Sequence, residues 1–527
     1  MTTNRSARRR SGAFARPRAV RAGLGVAFAL AVATITGCSA AVGAATDTGT
    51  TSSSSDTSAT SSSTAADVSS VTAVLDANAD QTVVNDDEWS ADDAADIALS
   101  GTDATTDASG VTVADGTVTI AEAGVYRLSG DYTGSVVVAA PDDAQVVLIL
   151  DGVSIEADGV PGIQVDTADD VALSLADGSE NSVSSTGTYA TDAEANAAIY
   201  SEADLTISGT GSLTVDGSAN DGITSKDDLV VLSGTIDVTA ADDGLRGKDS
   251  LTVRDGAITV DAGGDGLTSD QDSDDTKGYT SIEGGTLDIT AGSDGIDGFT
   301  DVVITDGAIT ISSEEGIEAG TVAIGGGTVD ITSTDDGING SAGTSDDTAT
   351  ADDSQDAFGG GGGGMGDTGE VVLIAGGTIT IDAGGDGLDS NGSMQITGGT
   401  TVVYGPTDSG NGALDTNGEF TVSGGTLIAL GSAGMAETPS TDSEQAWVAA
   451  SAQGSAGDVV EVLSSDGAVL ATVTAAKQFE TVVFSSADVA SGETYTFSVD
   501  GSSAATATTG EALAGGMGGG GGGGPRR

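Results

Sequence analysis

An acidic tripeptide, a carboxylate followed by glycine and then isoleucine or leucine, recurs seven times along the chain. The seven copies begin at Asp221, Asp243, Asp265, Asp294, Glu315, Asp336 and Asp386. Successive copies are 22, 22, 29, 21, 21 and 50 residues apart. We interpret the long steps as one enlarged coil and as two coils with an insertion. A fixed period of this size is typical of stacked coils, in which equivalent residues lie about 4.8 Å apart. The sequence therefore predicts a column of carboxylates on the surface.

Short strand patterns and glycine turns fill the intervals between the tripeptides. Gly-Gly-Thr or a close variant occurs at 233–235, 284–286, 326–328, 376–378, 398–400 and 424–426. Most copies precede alternating β-branched residues, and this alternation indicates a half-buried strand. No useful helical periodicity appears. We predict an all-β protein, a parallel β-helix over residues 111–430 with roughly 21–22 residues per coil, in which the aliphatic residues of the tripeptides stack in the core.

The composition changes on both sides of the repeats. Residues 71–110 are interpreted as a lead-in that caps the first coil, where Trp89 could cover the open end. Residues 431–510 change to an antiparallel strand pattern and are interpreted as a small β cap. The Gly/Asp-rich stretch 341–369 is expected to be a disordered insertion, and residues 511–527 a Gly-rich tail.

The N-terminus has the features of an export signal. Seven arginines precede an apolar stretch, residues 22–35, that is too short to span a bilayer as a helix. It ends in Ile-Thr-Gly-Cys, which resembles a bacterial lipobox. We predict a signal peptide over 1–37, a lipid on Cys38, the single cysteine, and a disordered Ser/Thr-rich tether over 38–70. The expected location is extracellular, on the bacterial cell membrane.

The charge of the chain restricts its partners. The sequence has 81 acidic and 16 basic residues and a formal net charge of −65. Such a body repels nucleic acid and anionic membrane surfaces and attracts cations. We therefore expect no nucleic acid partner, membrane contact only through the lipid, and a monomer.

Several segments in order resemble one known family. They are AAIYS at 197–201, NDGITSKDD at 220–228, DDGLRGKD at 242–249 and GDGLTSD at 264–270. These segments resemble a bacterial carbohydrate-binding β-helix family, typified by a clostridial cell-surface protein that binds cellulose and pectic sugars. The similarity runs from about residue 89 to residue 499. The resemblance implies a right-handed, pectate-lyase-like parallel β-helix with bound calcium and no established catalysis. Arg246 stands where lysine is expected, and Glu315 with Glu318 replaces the commoner aspartates.

A second acid or amide follows the glycine of several tripeptides by two positions, and this second group is not required for a turn. Carboxylates one coil apart would repel by roughly 3 to 4 kcal/mol at an effective dielectric constant of 20. Calcium, which takes six to eight oxygens, would relieve this repulsion. The alternative is that Asp-Gly only forms the corner of each coil, with glycine at positive φ. The candidate metal ligands are Asp265, Asp270, Asp272, Asp274, Asp294, Asp297, Glu315, Glu318, Asp336, Asn339, Asp386 and Asp389.

The acids of the loop after the third tripeptide, Asp270, Asp272 and Asp274, alternate as at the start of a calcium loop. The glycine and the distal glutamate of an EF-hand are missing. A solvated acidic loop is the alternative.

Three basic residues are close to each other in the predicted solenoid, Lys226, Arg246 and Lys248. Lys226 and Lys248 are one period apart and therefore belong to one column. In a chain with so few bases, this patch could bind the carboxylates of uronate sugars. Salt bridges to neighbouring aspartates are the alternative.

We therefore predict a cell-surface lipoprotein that binds extracellular polysaccharide, of the pectin/polygalacturonate or cellulose-like class, through a calcium-bearing β-helix. Two alternatives stay open. One is a pectate-lyase-like lyase, in which a basic residue beside calcium would be the general base. The other is a structural adhesin. The chain has no histidine and no evident nucleophile and base pair, so we assign no catalytic residue and expect no enzyme.

Overall fold

The computed structural model describes residues 70–191, 193–341 and 367–513. All of them lie in one unit of the chain, Thr64–Arg527. The predicted signal peptide, Cys38 and the tether up to residue 69 lie outside the described residues, as do most of the predicted insertion and tail. None of the helices in the described part is long and apolar enough to cross a membrane.

Strands dominate the described residues, which confirms the all-β prediction. The two helical segments there are α1 (Val71–Leu75) and a 3-10 turn (Ala91–Asp93). The first strands are β1 (Ala95–Gly101), β2 (Asp103–Thr106), β3 (Val111–Ala114), β4 (Thr117–Ile120), β5 (Gly124–Thr133), β6 (Ser135–Ala139), β7 (Gln145–Asp158), β8 (Ile163–Thr167), β9 (Asp170–Leu175) and β10 (Glu180–Thr186). They are followed by β11 (Ala197–Ser201), β12 (Asp204–Gly209), β13 (Ser212–Gly217), β14 (Asp221–Ser225), β15 (Asp228–Val231), β16 (Thr235–Ala240), β17 (Leu245–Gly247), β18 (Ser250–Val253), β19 (Ala257–Asp261), β20 (Leu267–Thr268), β21 (Tyr279–Ile282) and β22 (Thr286–Thr290).

The remaining strands complete the repeats and the C-terminal part. The repeats end with β23 (Asp294–Ile304), β24 (Ala308–Ser313), β25 (Glu315–Ile324), β26 (Thr328–Ser333), β27 (Ile338–Gly340), β28 (Val371–Ile374), β29 (Thr378–Ala383), β30 (Leu388–Ser390), β31 (Ser393–Ile396), β32 (Thr400–Tyr404), β33 (Phe420–Val422) and β34 (Thr426–Gly431). The C-terminal strands are β35 (Trp447–Gly454), β36 (Val459–Leu463), β37 (Val469–Thr474), β38 (Phe479–Ser485), β39 (Thr494–Val499) and β40 (Ser502–Thr508).

Between β7 and β34 each strand pairs in parallel with its equivalents in the neighbouring repeats, which gives three rows of strands. The acidic row contains β8, β11, β14, β17, β20, β23, β25, β27 and β30. The covered row contains β9, β12, β15, β18, β21, β23, β25, β28, β31 and β33. The exposed row contains β10, β13, β16, β19, β22, β24, β26, β29, β32 and β34. The long strands β23 and β25 belong to the first two rows.

The aliphatic residues of the tripeptides form the predicted core column. Each is the Cα partner of the next, and all are fully buried: Ile223, Leu245, Leu267, Ile296, Ile317, Ile338 and Leu388. This packing removes most of each side chain from water, which stabilises the fold by about 1.5–3 kcal/mol per residue. The core prediction is confirmed.

The glycine of the tripeptide is required by close approach of the neighbouring repeat. A Cβ on Gly295 would lie 2.2 Å from Ile311 Cγ2 and 2.6 Å from the Gly316 carbonyl oxygen. These tripeptide glycines do not have positive φ, so the alternative interpretation, in which the glycine forms a corner at positive φ, does not hold for them. Positive φ occurs instead in the Gly-Gly-Thr turns, as at Gly327 with φ 79°. There glycine avoids the clash that a Cβ would cause.

Residues 70–94 form a strap along the side of the covered row. Helix α1 packs against Val303, Ala323 and Leu373 near the C-terminal end of the row. At the other end, Val84 and Trp89 pack beside Val147. The strap therefore runs along the rows in the direction opposite to the order of the repeats, and Trp89 lies on the side of the rows.

The C-terminal part ends the parallel pairing. Strand β38 pairs antiparallel with both β34 and β35, and β37, β36, β39 and β40 form a separate antiparallel sheet. Lys477, between β37 and β38, reaches back to the exposed row, where its ammonium donates to the Ala383 carbonyl and lies 2.7 Å from Asp382 Oδ1.

Candidate functional site

The first residues of the tripeptides form one column along the edge of the acidic row. Several of their carboxylates accept a hydrogen bond from a backbone N–H of the next repeat. Asp243 Oδ1 accepts from the Asp265 N–H at 3.0 Å, and Asp265 Oδ1 accepts from the Asp294 N–H at 3.0 Å. Asp336 and Asp386 accept in the same way. Such a hydrogen bond occupies one carboxylate oxygen and leaves the other available.

A second polar column lies three residues further along each strand. In register it contains Arg246, Thr268, Asp297, Glu318, Asn339 and Asp389. The Thr268 hydroxyl donates to Asp297 Oδ2 at 2.8 Å, and Asn339 Nδ2 donates to Glu315 Oε2 at 3.1 Å. Asn339 Oδ1 is buried and has no hydrogen-bond partner in the described part of the protein. It is an oxygen acceptor with unused capacity beside carboxylates.

The two columns meet in a cluster of three carboxylates. One oxygen each of Asp294, Glu315 and Glu318 lies within 4.8 Å of the other two. All three residues are half-buried. Two unit charges at this distance repel by about 3.5 kcal/mol at an effective dielectric constant of 20. Ionising all three carboxylates without a counter-ion is therefore costly.

The protonation of the cluster reflects this repulsion. Burial, followed by the charges of Asp265 and Glu318, raises the pKa of Asp294 to about 9. Burial and the charge of Glu318 raise the pKa of Glu315 to about 7. Burial also holds the pKa of Asp297 well above its usual range. A bound cation would have to displace these protons, because carboxylates bind metal in the ionised form.

The column continues to a second acidic group at its C-terminal end. The carboxyls of Asp386, Asp389 and Glu437 each have a pKa of about 7, raised first by burial and then by neighbouring carboxylates. Burial also raises the pKa of Asp415. Asp336 connects this group to the cluster of three, and its pKa of about 7 has the same cause. The tripeptide pattern did not indicate Glu437, because it lies in the irregular segment between β34 and β35.

Arg246 lies near the N-terminal end of the two columns and is surrounded by acids. Its guanidinium is paired with Asp270 and lies 3.9 Å from Asp243 Oδ2, and its side chain is 17% exposed. It also lowers the pKa of Asp221, although burial keeps that pKa raised to about 6. Arg246 thus forms ion pairs with neighbouring aspartates, in agreement with the alternative that the basic residues form salt bridges.

Lys226 and Lys248 are arranged differently. They directly follow β14 and β17, whose last residues Ser225 and Gly247 are Cα partners, so the lysines lie side by side in neighbouring repeats. Neither forms an ion pair within 4.0 Å in the described residues. The next repeat continues this column with Asp270, and the lysines are half-buried. Their charges remain available to an anionic ligand.

The structure does not bring the acids of the 270–274 loop together as a ligand set. Asp270 pairs with Arg246, whereas Asp272 is exposed. Asp274 accepts hydrogen bonds from the backbone and the hydroxyl of Thr276 in its own loop, which lowers its pKa. Of the candidate metal ligands, those around Asp294 and Asp386 are brought together, and those of this loop are not.

Similarity to known proteins covers part of the chain. A protein-family model described as a carbohydrate-binding domain-containing protein matches residues 114–357. A carbohydrate-binding domain-containing protein of Acetivibrio thermocellus is 33% identical over 136 residues, which are 25% of this chain and 48% of the relative. The chain thus spans about half the length of this curated relative. These matches confirm the predicted resemblance to carbohydrate-binding proteins.

One solved structure is also similar. It is a gadolinium derivative of a polysaccharide lyase-like protein from C. thermocellum, with 34% sequence identity and a TM-score of 0.43. The match covers 44% of this chain and 96% of that one.

Proposed function

We propose that this protein binds extracellular polysaccharide of the acidic, uronate-containing class, at the acidic row and the lysine pair, with calcium held between the carboxylates. The observation that carries the proposal is that one row holds both the three-carboxylate cluster and the lysine pair. Lys248 follows β17, and Glu318 of the cluster lies three strands away in β25, so the two groups are about 15 Å apart at the strand spacing of a sheet. Both groups fall within the part of the chain that matches the carbohydrate-binding model.

Calcium supplies positive charge and flexible coordination by six to eight oxygens. Asp294, Glu315 and Glu318 would provide carboxylate oxygens, and Asn339 a carbonyl oxygen. We propose a second position among Asp386, Asp389 and the neighbouring acids. Bound there, the ions would offset most of the repulsion along the column, and their coordination positions not filled by protein oxygens would be open to a uronate carboxylate.

Two kinds of positive charge would then face an acidic polymer. The ammonium groups of Lys226 and Lys248 would bind one uronate carboxylate, while an ion on the cluster would bridge a second one to the protein. Arg246 would act indirectly, because Asp243 and Asp270 already occupy its guanidinium. A neutral glucan would gain nothing from either charge, so the proposal is specific for acidic chains.

We also propose that the three rows close into a right-handed parallel β-helix, which residues 431–510 cap at the C-terminal end. Equivalent strands pair one repeat apart in each row, as coils stacked on each other would require. Parallel strands joined by crossovers are right-handed in nearly all proteins. An experimental structure with the rows in one open sheet would contradict this proposal.

The sequence supports a lipid-anchored protein on the outer face of the cell membrane, with the lipid on Cys38. This segment lies outside the described residues, so the support is the lipobox alone. Cys38→Ser should release the protein from the membrane fraction into the medium. Retention of the variant in the membrane would contradict the anchor.

The central experiment compares binding to polygalacturonate and to a neutral glucan, with calcium and with a chelator. We expect binding to polygalacturonate that needs calcium and weakens with salt. Lys226→Ala with Lys248→Ala should lower affinity for the acidic polymer at least tenfold without changing the melting temperature. Arg254→Ala, which removes a base paired with Glu283 at 3.6 Å, is the matched control and should bind as the parent does.

The same experiment separates the alternatives. Equal binding by the parent and the double lysine variant, or preference for the neutral glucan, would reject the proposed ligand class. An unsaturated product that absorbs ultraviolet light would show a lyase instead of a binding protein. Absence of binding to any glycan on an array would favour an adhesin.

A further inference from the structure

The strap, residues 70–94, contacts the covered row through apolar packing at its two ends and through hydrogen bonds in its middle. The ends are apolar, with α1 on one side and Val84 with Trp89 on the other. The middle makes single polar contacts. The Tyr279 hydroxyl donates to the Ala79 carbonyl at 2.8 Å, and the Thr82 N–H donates to Asp228 Oδ2 at 2.8 Å.

The surface beneath the middle of the strap is polar and incompletely paired. Thr252 and Ser281 are Cα partners on β18 and β21, and both are almost fully buried. Neither hydroxyl has a hydrogen-bond partner in the described protein. Buried polar groups without partners weaken an interface, so the middle of the strap has a low intrinsic stability.

Acidic groups face each other across this interface. The strap carries Asp76, Asp80, Asp86, Asp87, Glu88, Asp92 and Asp93. The row beneath and beside it carries Asp169, Asp170, Asp204, Asp227, Asp228, Asp249, Glu283 and Asp301. The bases are few: Lys277 is paired with Asp249, Arg254 with Glu283, and Arg127 lies near Asp151 at the strap's far end.

Asp301 is one of the two buried acids in this set, and unlike Asp249 it has no paired base in the described part of the chain. It is 9% exposed, faces Asn78 of the strap, and has Tyr279 and Thr321 as its Cα partners. Tyr279 is neutral, because burial raises its pKa to about 12. No base forms an ion pair with Asp301 among the described residues. While the strap covers Asp301, its negative charge has no paired base in the described protein, and the Asn78 amide stabilises that charge less than burial disfavours it.

We propose that the middle of the strap, residues 76–82, is a pH-sensitive clamp that lies on the covered row at acidic pH and lifts away as the pH rises towards 8. The apolar ends stay in place, so the strap opens as a loop. Opening hydrates Asp301 and separates the facing acids. It also exposes the unpaired hydroxyls of Thr252 and Ser281.

The direction of the effect follows from the carboxyls. Burial raises the pKa of Asp301 to about 7, and burial with neighbouring acids raises that of Asp227 to about 6. In the open strap these values return towards the ordinary range, so protons favour the closed form and are lost as the pH rises through 6 and 7. For Asp301 alone, the equilibrium shifts towards opening by on the order of 100-fold between pH 5 and pH 8.

Hydrogen exchange of the full chain, in excess calcium and without glycan, tests the clamp. After correction for the intrinsic exchange rate, the amides of Ala79 and Thr82, which donate to the Thr276 carbonyl and to Asp228, should lose about 100-fold protection between pH 5 and pH 8. Amides of the core strands should keep theirs. Asp301→Asn preserves the size of the side chain and removes its charge, and it should reduce this pH-dependent loss to tenfold or less. Asp288→Asn, at an exposed position of β22, is the matched control and should behave as the parent does.

A second variant tests the same contact from the strap. Asn78→Asp places a new carboxylate against Asp301, so opening should begin at a lower pH. Equal protection of residues 76–82 at pH 5 and pH 8 in the parent would overturn the proposal. A full pH-dependent loss in Asp301→Asn, an equal effect of Asp288→Asn, or no shift in Asn78→Asp would also overturn it.

Discussion

Calcium affinity should depend steeply on pH if the cluster of Asp294, Glu315 and Glu318 holds the ion. The pKa values of about 9 for Asp294 and about 7 for Glu315 mean that both carboxyls are protonated at pH 6. Calcium binding must release both protons there, and affinity then rises by up to about 100-fold per pH unit. Between pH 7 and pH 9 only the Asp294 proton remains, and the rise falls to about tenfold per unit.

Isothermal titration calorimetry checks this expectation directly. Calcium is titrated at pH 6, 7 and 8 in pairs of buffers that differ in ionisation enthalpy, so that the number of released protons is measured together with Kd. About two protons should be released per ion at pH 6 and about one at pH 8. Asp294→Asn should remove one of them and weaken binding, whereas Asp288→Asn should change neither quantity.

A Kd that is constant between pH 6 and pH 8, with no release of protons, would refute the reasoning. So would equal losses of affinity in Asp294→Asn and Asp288→Asn, because only Asp294 belongs to the cluster. Calcium would then interact with the diffuse negative charge of the protein and not with a built site.

Three further expectations concern stability. In chelator, the melting temperature should fall as the pH rises from 6 to 9. The column carboxyls have raised pKa values, so the folded state binds protons that stabilise it and loses them over this range. Excess calcium should reverse the fall, and a melting temperature that does not change with pH would contradict the assignment. Arg246→Met should lower the free energy of unfolding, measured in urea, by about 3–5 kcal/mol, because Asp243 and Asp270 would lose their counter-ion. Arg254→Met removes a more exposed ion pair and should cost less than about 1 kcal/mol. Equal costs for the two variants would argue against the buried network. Gly295→Ala should cost about 1–3 kcal/mol through its contact with Ile311, and Gly410→Ala, where the nearest atom is 3.2 Å away on an exposed turn, should be nearly neutral in the same assay.

The period of the acidic tripeptide predicted the core column because burial and register are properties of the repeat itself. Once Ile223 and Leu245 are equivalent, every later aliphatic residue takes the same place. The period also placed Asp294 beside Glu315. It left open whether Arg246 would bind a ligand or pair with aspartates, because side-chain direction is not determined by register alone.

Features outside the repeat could not be predicted in the same way. Glu437 joins the C-terminal acidic group from an irregular segment, which has no period that relates it to Asp386. The strap has no strand alternation and no repeat that relates it to the rows, so its course along the covered row could not be predicted from the sequence. Its contacts are set by single residues such as Thr82 and Val84. Long-range contacts of this kind depend on the finished surface of the rows.

The structural and the functional interpretations of the tripeptide carboxylate do not exclude each other. At Asp243, Asp265, Asp336 and Asp386 the short side chain places one oxygen on a backbone N–H of the next repeat. The other oxygen does not take part in that bond, so the same group can join two repeats and also face a cation. At Glu315 the side chain is longer, and its carboxylate accepts instead from Asn339 and meets Asp294 and Glu318. The three-carboxylate cluster thus forms where glutamate interrupts the aspartate column, because the additional methylene moves the charge from the backbone to its neighbours. Glu315→Asp should therefore restore a backbone contact and weaken calcium binding, although it keeps the charge, and calorimetry showing unchanged affinity would contradict this account.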